Sequence, residues 1–141
     1  MRFERAPVRA IVRAIADAEL RPDDVDYVCA HGTGTPANDS AETRVLKMAL
    51  GEHAYRIPVS SVKSMIGHLL GAAGALSTVA VVKALETGCV PPTINQFTPD
   101  PDCDLDYVAW KPRRLDIRTA LVNGFGFGGQ NSVAVFKRFE G

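Results

Sequence analysis

Three short apolar runs, each opening into a loop of small polar residues and separated by stretches long enough for helices, constrain this chain most. Val25 to Ala30 (VDYVCA) leads into HGTGTPAND, Ile57 to Val62 (IPVSSV) into KSMIGH, and Thr119 to Val122 into NGFGFGGQN. Runs this short and continuous suit strands buried on both faces. Pro7 to Leu20 sets Val8, Ile11, Val12, Ile15 and Ala16 against Arg9, Arg13 and Asp17, which predicts an amphipathic helix with proline in its first turn. Asp39 or Ser40 can cap a second helix, stopped by Gly51, and a long third helix runs from KSMIGH to about Thr87, ended by Gly88. Ser132 to Phe139 reads as a closing strand. The alternation predicts an α/β fold, a mainly parallel sheet with helices on its faces. No strand precedes the first helix, so the domain is expected to lack its first strand. The proline-rich VPPTINQFTPDPDCDLDYVAW is aperiodic and is expected to wrap the surface.

A chain of 141 residues builds one domain with a real core, and hardly two. Sixteen basic residues balance sixteen acidic ones without a basic block, which argues against nucleic acid or a membrane surface as partner. The opening MRFERAPVR has no apolar centre and is no signal peptide. Leu69 to Val82, the longest apolar stretch, covers about fourteen residues against the roughly twenty a membrane span needs. A buried helix is expected there, and Gly67, Gly71 and Gly74 at helical spacing predict close packing against another backbone. Cys29, Cys89 and Cys103 form no CxxC pair, so neither a disulfide framework nor a zinc site is expected, and a reducing, cytoplasmic setting suits them. His31, His53 and His68 lack metal-ligand spacing, and His53 reads as a surface residue.

In open α/β sheets, sites gather beyond the carboxyl ends of the strands, so the three loops can converge. His31, His68 and Lys63 would then combine two imidazoles and an ammonium into an acid/base and electrostatic site. Singly, each has a blander reading, as a hydrogen-bonded histidine or a solvated lysine. Gly124, Gly126 and Gly129 satisfy G-x-G-x-x-G, but SVAVF after them reads as a strand, and the dinucleotide fingerprint requires a helix. A turn whose backbone N–H groups can approach a ligand closely is what remains.

CAHGTGTPANDSAE, VSSVKSMIGHLLGAAGA, PPTIN, CDLDYV and NGFGFGGQNSVAVF together resemble, in order and spacing, the elongating β-ketoacyl synthases of the thiolase superfamily. The resemblance implies the C-terminal half of a thiolase-like layered α/β/α fold over residues 1–141, without the half that carries the nucleophilic cysteine. It implies decarboxylative Claisen condensation of an acyl thioester with malonyl-carrier protein, in fatty-acid or type II polyketide synthesis. His31 and His68 match the catalytic histidines, Lys63 the family lysine beside His68, and Glu42 the acidic residue that pairs with that lysine. Thr33 and Thr35 match contacts to the phosphopantetheine arm, Phe127 the gating phenylalanine, and Asn131 a residue bracing its loop. Ser77 stands where elongating members often carry Glu. No soluble cofactor or metal is implied, only the pantetheine of an acyl carrier protein as partner. The missing N-terminal synthase half is a second partner, and the complete protein is expected to be a homo-oligomer. The isolated chain is expected to be inactive, since none of its cysteines has the setting of a nucleophile. A catalytically silent half-synthase acting as scaffold is the alternative. A degradative thiolase fits less well, because NGFGFGGQN lacks that class's second cysteine.

Overall fold

The computed structural model describes residues 4–141; Met1 to Phe3, part of the opening read as no signal peptide, lie outside them. Helix α1 (Arg5–Asp17) keeps the predicted period but buries a narrower stripe: Ile11 and Ile15 are buried beside Val8, while Val12 and Ala16 face solvent. It ends at Asp17 rather than Leu20, and Glu19 takes a positive φ of 57°. Strand β1 (Tyr27–Cys29) follows. Helix α2 (Pro36–Leu50) starts before the predicted cap. Its cap is Thr35, not Asp39 or Ser40: the extended Thr35 accepts the Asn38 N–H on Oγ1 at 3.3 Å, and Pro36 supplies a preset φ to the first turn.

Strand β2 (Val59–Ser60) leads into the short helix α3 (Lys63–Ile66), a 3-10 turn at Leu70–Ala72 and helix α4 (Ala73–Thr87). The single long helix expected here is therefore broken, at Gly67, whose φ of 77° caps α3. Strands β3 (Cys89–Val90) and β4 (Arg113–Arg114) pair as a small antiparallel ribbon. Strands β5 (Thr119–Phe125) and β6 (Asn131–Lys137) form an antiparallel hairpin from Thr119↔Lys137 to Phe125↔Asn131. The main sheet runs β2-β1-β5-β6, with β1 parallel to both β2 and β5.

Alternation along the strands divides the core into two layers. Val28 and Leu121 pack with Ile11, Ile15, Val45 and Leu46 from α1 and α2. Tyr27, Cys29, Ala120 and Val122 pack on the other face with Val81, Ala84 and Leu85 from α4. Each fully buried aliphatic side chain of this kind stabilises the fold by about 1.5–3 kcal/mol. The expected α/β/α layering is present, with the parallel strands aligned so that three loops leave one end of the sheet.

Several local expectations are corrected. The proline-rich segment does wrap the surface, but it is fastened there: Leu105 and Val108 are buried, and bridges Pro58↔Asp106 and Thr93↔Ala109 tie it to the fold. Gly67, Gly71 and Gly74 have nothing within 4 Å of where a Cβ would stand, so they make no close backbone contact among the described residues. Leu70–Thr87 spans 18 residues at mean hydropathy 1.3, long and apolar enough by length and composition to cross a membrane. Here Ser77, Val81, Ala84 and Leu85 cover the sheet, whereas Leu76, Val79 and Val82 are exposed. α4 is thus half buried, not wholly so. His53 is no surface residue either, since its Nε2–H donates to the Val25 carbonyl at 2.7 Å and its side chain is only 16% exposed. A carbonyl past the end of a helix and before a strand needs such a partner.

Candidate active site

Parallel pairing of β1 and β2 sends their C-terminal loops out side by side, and this sets the site. The β1 loop carries His31 and the β2 loop carries Lys63 and His68. The two imidazole rings meet edge to face, 5.6 Å between centroids and 83° between planes. His31 also lies 5.9 Å from the ring of Phe125, at the end of β5. All three loops therefore contribute to one place.

Electrostatics make His31 a neutral ring. Burial, then the charge of Lys63, then His68, lower its pKa from 6.5 to about 4. The charge of Lys63, which the resemblance sets beside His68, acts on His31. In His68, Nδ1 accepts the Leu70 N–H at 3.0 Å, so the neutral ring carries its proton on Nε2, free to donate outward. Lys63 is half-buried, and burial lowers its pKa, with Cys29 and Glu42 acting in the opposite direction. The result is two hydrogen-bond donors flanked by a cation, an arrangement suited to stabilising an oxyanion.

Glu42 corrects the expected lysine–glutamate pair. It is 4% exposed, and its carboxylate accepts the N–H groups of His31 at 2.8 Å and Gly32 at 2.9 Å. It accepts also from Asn38 Nδ2 at 3.2 Å and Asn123 Nδ2 at 3.0 Å. Among the described residues no ion pair joins it to Lys63. A buried carboxylate with four donors clamps the backbone of the His31 loop onto α2 and β5. Asn123 Oδ1 is buried without a partner among the described atoms.

Thr33 and Thr35 share a hydroxyl hydrogen bond of 2.9 Å. Both line a cleft of about 650 Å³ together with Lys63, His68, Asn95 and Tyr107. Phe127 is fully exposed on the 3-10 turn Phe127–Gly129, and the aromatic against His31 is Phe125. Gly128 and Gly129 take φ of 76° and 82°, and Asn131 Nδ2 donates to the Gly129 carbonyl at 3.0 Å across this turn. Sequence reasoning missed Phe125, Asn123 and Ser61. A two-residue period through β5 puts Phe125 and Asn123 on the Leu121 face, which could have found the first two. Ser77 is buried at 2% exposure, and its hydroxyl neighbours the Cys29 thiol.

A pH dependence follows from His31. Its folded pKa lies below the unfolded value, so between about 4 and 6.5 the unfolded chain binds a proton that the folded chain does not. Stability is expected to fall as pH drops through that window. Urea unfolding at pH 7 and pH 4.5, compared with His31→Gln, isolates the effect from the carboxylates. An NMR titration midpoint for His31 near 6.5 would contradict it.

Two facing histidines with a lysine, set on the loops of a layered α/β/α sheet, are a site suited to stabilising a developing negative charge. The model of the β-ketoacyl synthase C-terminal domain matches residues 3–97, and the chain belongs to that family. A 3-oxoacyl-[acyl-carrier-protein] synthase 2 of Synechocystis is 54% identical over 136 residues, 96% of this chain and 33% of that protein. A type II polyketide ketosynthase, solved in complex with its acyl-carrier protein, superposes with a TM-score of 0.90 at 44% identity, over 96% of this chain and 34% of that one. A β-ketoacyl synthase of Burkholderia phymatum superposes with a TM-score of 0.85 at 36% identity, over 94% and 33% respectively. The likeness extends to the whole described fold, thiolase-like in class. The chain spans about a third of the length of these relatives.

Proposed function

We propose that this chain supplies the decarboxylation site of a 3-oxoacyl-[acyl-carrier-protein] synthase. The observation that carries the reading is the His31–His68 pair at 5.6 Å beside Lys63. Both histidines donate a hydrogen bond to the malonyl thioester oxygen. As the bond to the carboxylate breaks, its electron pair moves into the enolate and carbon dioxide leaves. The enolate carbon then attacks an acyl thioester, and the thiolate that held the acyl group departs. His31, neutral because it is buried near a cation, is a donor across the whole physiological range. Charge that develops on oxygen is met by two fixed N–H groups and the Lys63 field, without solvent reorganisation.

The acyl-bearing cysteine is proposed to lie in a portion of the complete synthase that this chain does not span. Thr33 and Thr35, on the wall of the cleft, are the proposed contacts for the pantetheine arm, and an acyl carrier protein is the proposed partner. No soluble cofactor or metal enters this scheme. Phe127 and its turn are proposed to move against the acyl thioester, and Asn131 to hold that turn. Three free cysteines fit a reducing, cytoplasmic setting, and the complete protein is proposed to be a homo-oligomer.

Joining this chain to the N-terminal two-thirds of a relative tests the proposal. The chimaera is expected to release carbon dioxide from malonyl-carrier protein and to form 3-oxoacyl product. A folded, acylated chimaera that releases none would reject it.

A further inference from the structure

Resting on that reading of the site, we infer that Ser61 is a positioning residue that ties the His31 loop to the Lys63–His68 loop. The β1–β2 ladder ends at Cys29↔Ser60, with one last backbone bond from Ala30 N–H to the Ser60 carbonyl at 2.9 Å. Beyond that point the two loops share no ladder. Ser61, 6% exposed, supplies the next link, because its hydroxyl donates to the Gly32 carbonyl at 2.7 Å.

Two further bonds fix Ser61 itself. Its N–H donates to Thr93 Oγ1 at 3.1 Å, and its carbonyl accepts the Ser64 hydroxyl at 2.8 Å. Ser64 Oγ in turn accepts the Ile94 N–H at 3.0 Å, and Asn95 Nδ2 donates to the Ser64 carbonyl at 3.2 Å. Thr93 is anchored by its N–H to the Val108 carbonyl and by its own carbonyl to the Trp110 N–H, both at 3.0 Å. The PPTIN segment is thus a brace behind the site. A part-buried polar network whose members hydrogen-bond one another favours one geometry.

Steric fit points the same way. Gly32 has a φ of 41°, and a Cβ there would stand 2.7 Å from Ser61 Oγ and closer still to Ser61 Cβ. Only a glycine lets the two loops approach so nearly. Gly32 adjoins His31, and Ser61 is two residues before Lys63, so the contact sets how far apart the two loops start. Through the spacing of the two loops, the contact bears on the 5.6 Å separation of the His31 and His68 rings.

The test uses the 141-residue chain with isotope-labelled histidines and the variants Ser61→Ala, Thr93→Val and Thr93→Ser. The charged and titratable groups near His31 are Lys63, His68 and Glu42, whose carboxylate accepts the His31 N–H, and loosening the loop rehydrates the ring. Ser61→Ala is expected to raise the His31 titration midpoint by about one unit and to weaken the contact between the two rings. Thr93→Val, isosteric with the native residue, is expected to act in the same direction, and Thr93→Ser to restore the native values. In a complete synthase carrying this chain, Ser61→Ala is expected to lower kcat for malonyl decarboxylation about tenfold with little change in KM. An unchanged midpoint and ring contact in folded Ser61→Ala overturns the inference. If that variant does not fold, an unchanged midpoint in Thr93→Val overturns it equally. His31→Ala in the same synthase separates the two readings. Full decarboxylation there rejects the functional proposal, while the titration still decides on Ser61.

Discussion

His31→Ala, made in a complete synthase that carries this chain, is expected to lower malonyl decarboxylation by about a hundredfold or more, as loss of one fixed oxyanion donor does elsewhere. His68→Ala is expected to act alike. The enolate oxygen carries charge only in the transition state and intermediate, so donors placed for it act mainly on kcat. His31 is neutral by burial and by the Lys63 charge, and His68 turns Nε2 outward because Leu70 occupies Nδ1. Neither ring needs to gain or lose a proton to donate. Acyl transfer to the synthase cysteine relies on a thiolate and a different oxyanion site, so it is expected to survive in both variants. Radiolabelled carbon dioxide release and acyl-enzyme formation, measured separately, decide the matter. Equal loss of both half-reactions, with the fold preserved, would give the histidines another role.

The parts of this site legible in the sequence were those encoded by neighbours along the chain. A short buried strand followed by small polar residues put His31, Lys63 and His68 at one end of a sheet, and parallel pairing of β1 and β2 does bring the two rings together. Glu42 was legible as a site residue but not in its partner. Motif spacing cannot distinguish a carboxylate facing Lys63 from one accepting the His31 and Gly32 N–H groups, because both lie near the same loop. Ser61 escaped for a related reason. Its importance arises from Gly32 and Thr93, distant in sequence, and a serine inside an apolar run carries no signal of its own.

Two local features differ from what the sequence pattern predicts. The glycine repeat of Gly67, Gly71 and Gly74 reads as helix packing, yet Gly67 ends α3, Gly71 sits in a 3-10 turn and none has a neighbour within 4 Å of a Cβ position among the described residues. Helical spacing in a sequence presumes one continuous helix, and the positive φ at Gly67 removes that premise. The cap of α2 shifted because Thr35-Pro36 is a stronger start than Asp39 or Ser40, pairing a side-chain acceptor with a preset φ.

The 141-residue chain by itself is expected to remain unacylated by acyl-carrier protein and to make no 3-oxoacyl product. An acyl-enzyme needs a thiolate that is accessible and electrostatically favoured. Cys29 is fully buried within β1, and burial pushes its thiol up. Cys103, on the turn after Asp100, is likewise pushed up, first by burial and then by carboxylates including Asp100. Cys89 opens the β3 ribbon, and no cysteine stands at a helix N-terminus. Along α3, the 3-10 turn and α4, Met65, Ile66, Leu70, Leu76, Val79 and Val82 are exposed, more apolar side chains than soluble monomers usually leave open. The chain alone is therefore expected to self-associate, and to bind a separately expressed N-terminal portion of a relative. Intact-mass spectrometry after incubation with an acyl-pantetheine thioester reads the outcome. Acylation is expected only on the added portion, followed by condensation that needs His31 and His68. Stoichiometric acylation of Cys29, Cys89 or Cys103 in the chain alone, with turnover to product, would overturn both the assignment of the nucleophile and the division of labour proposed for the site.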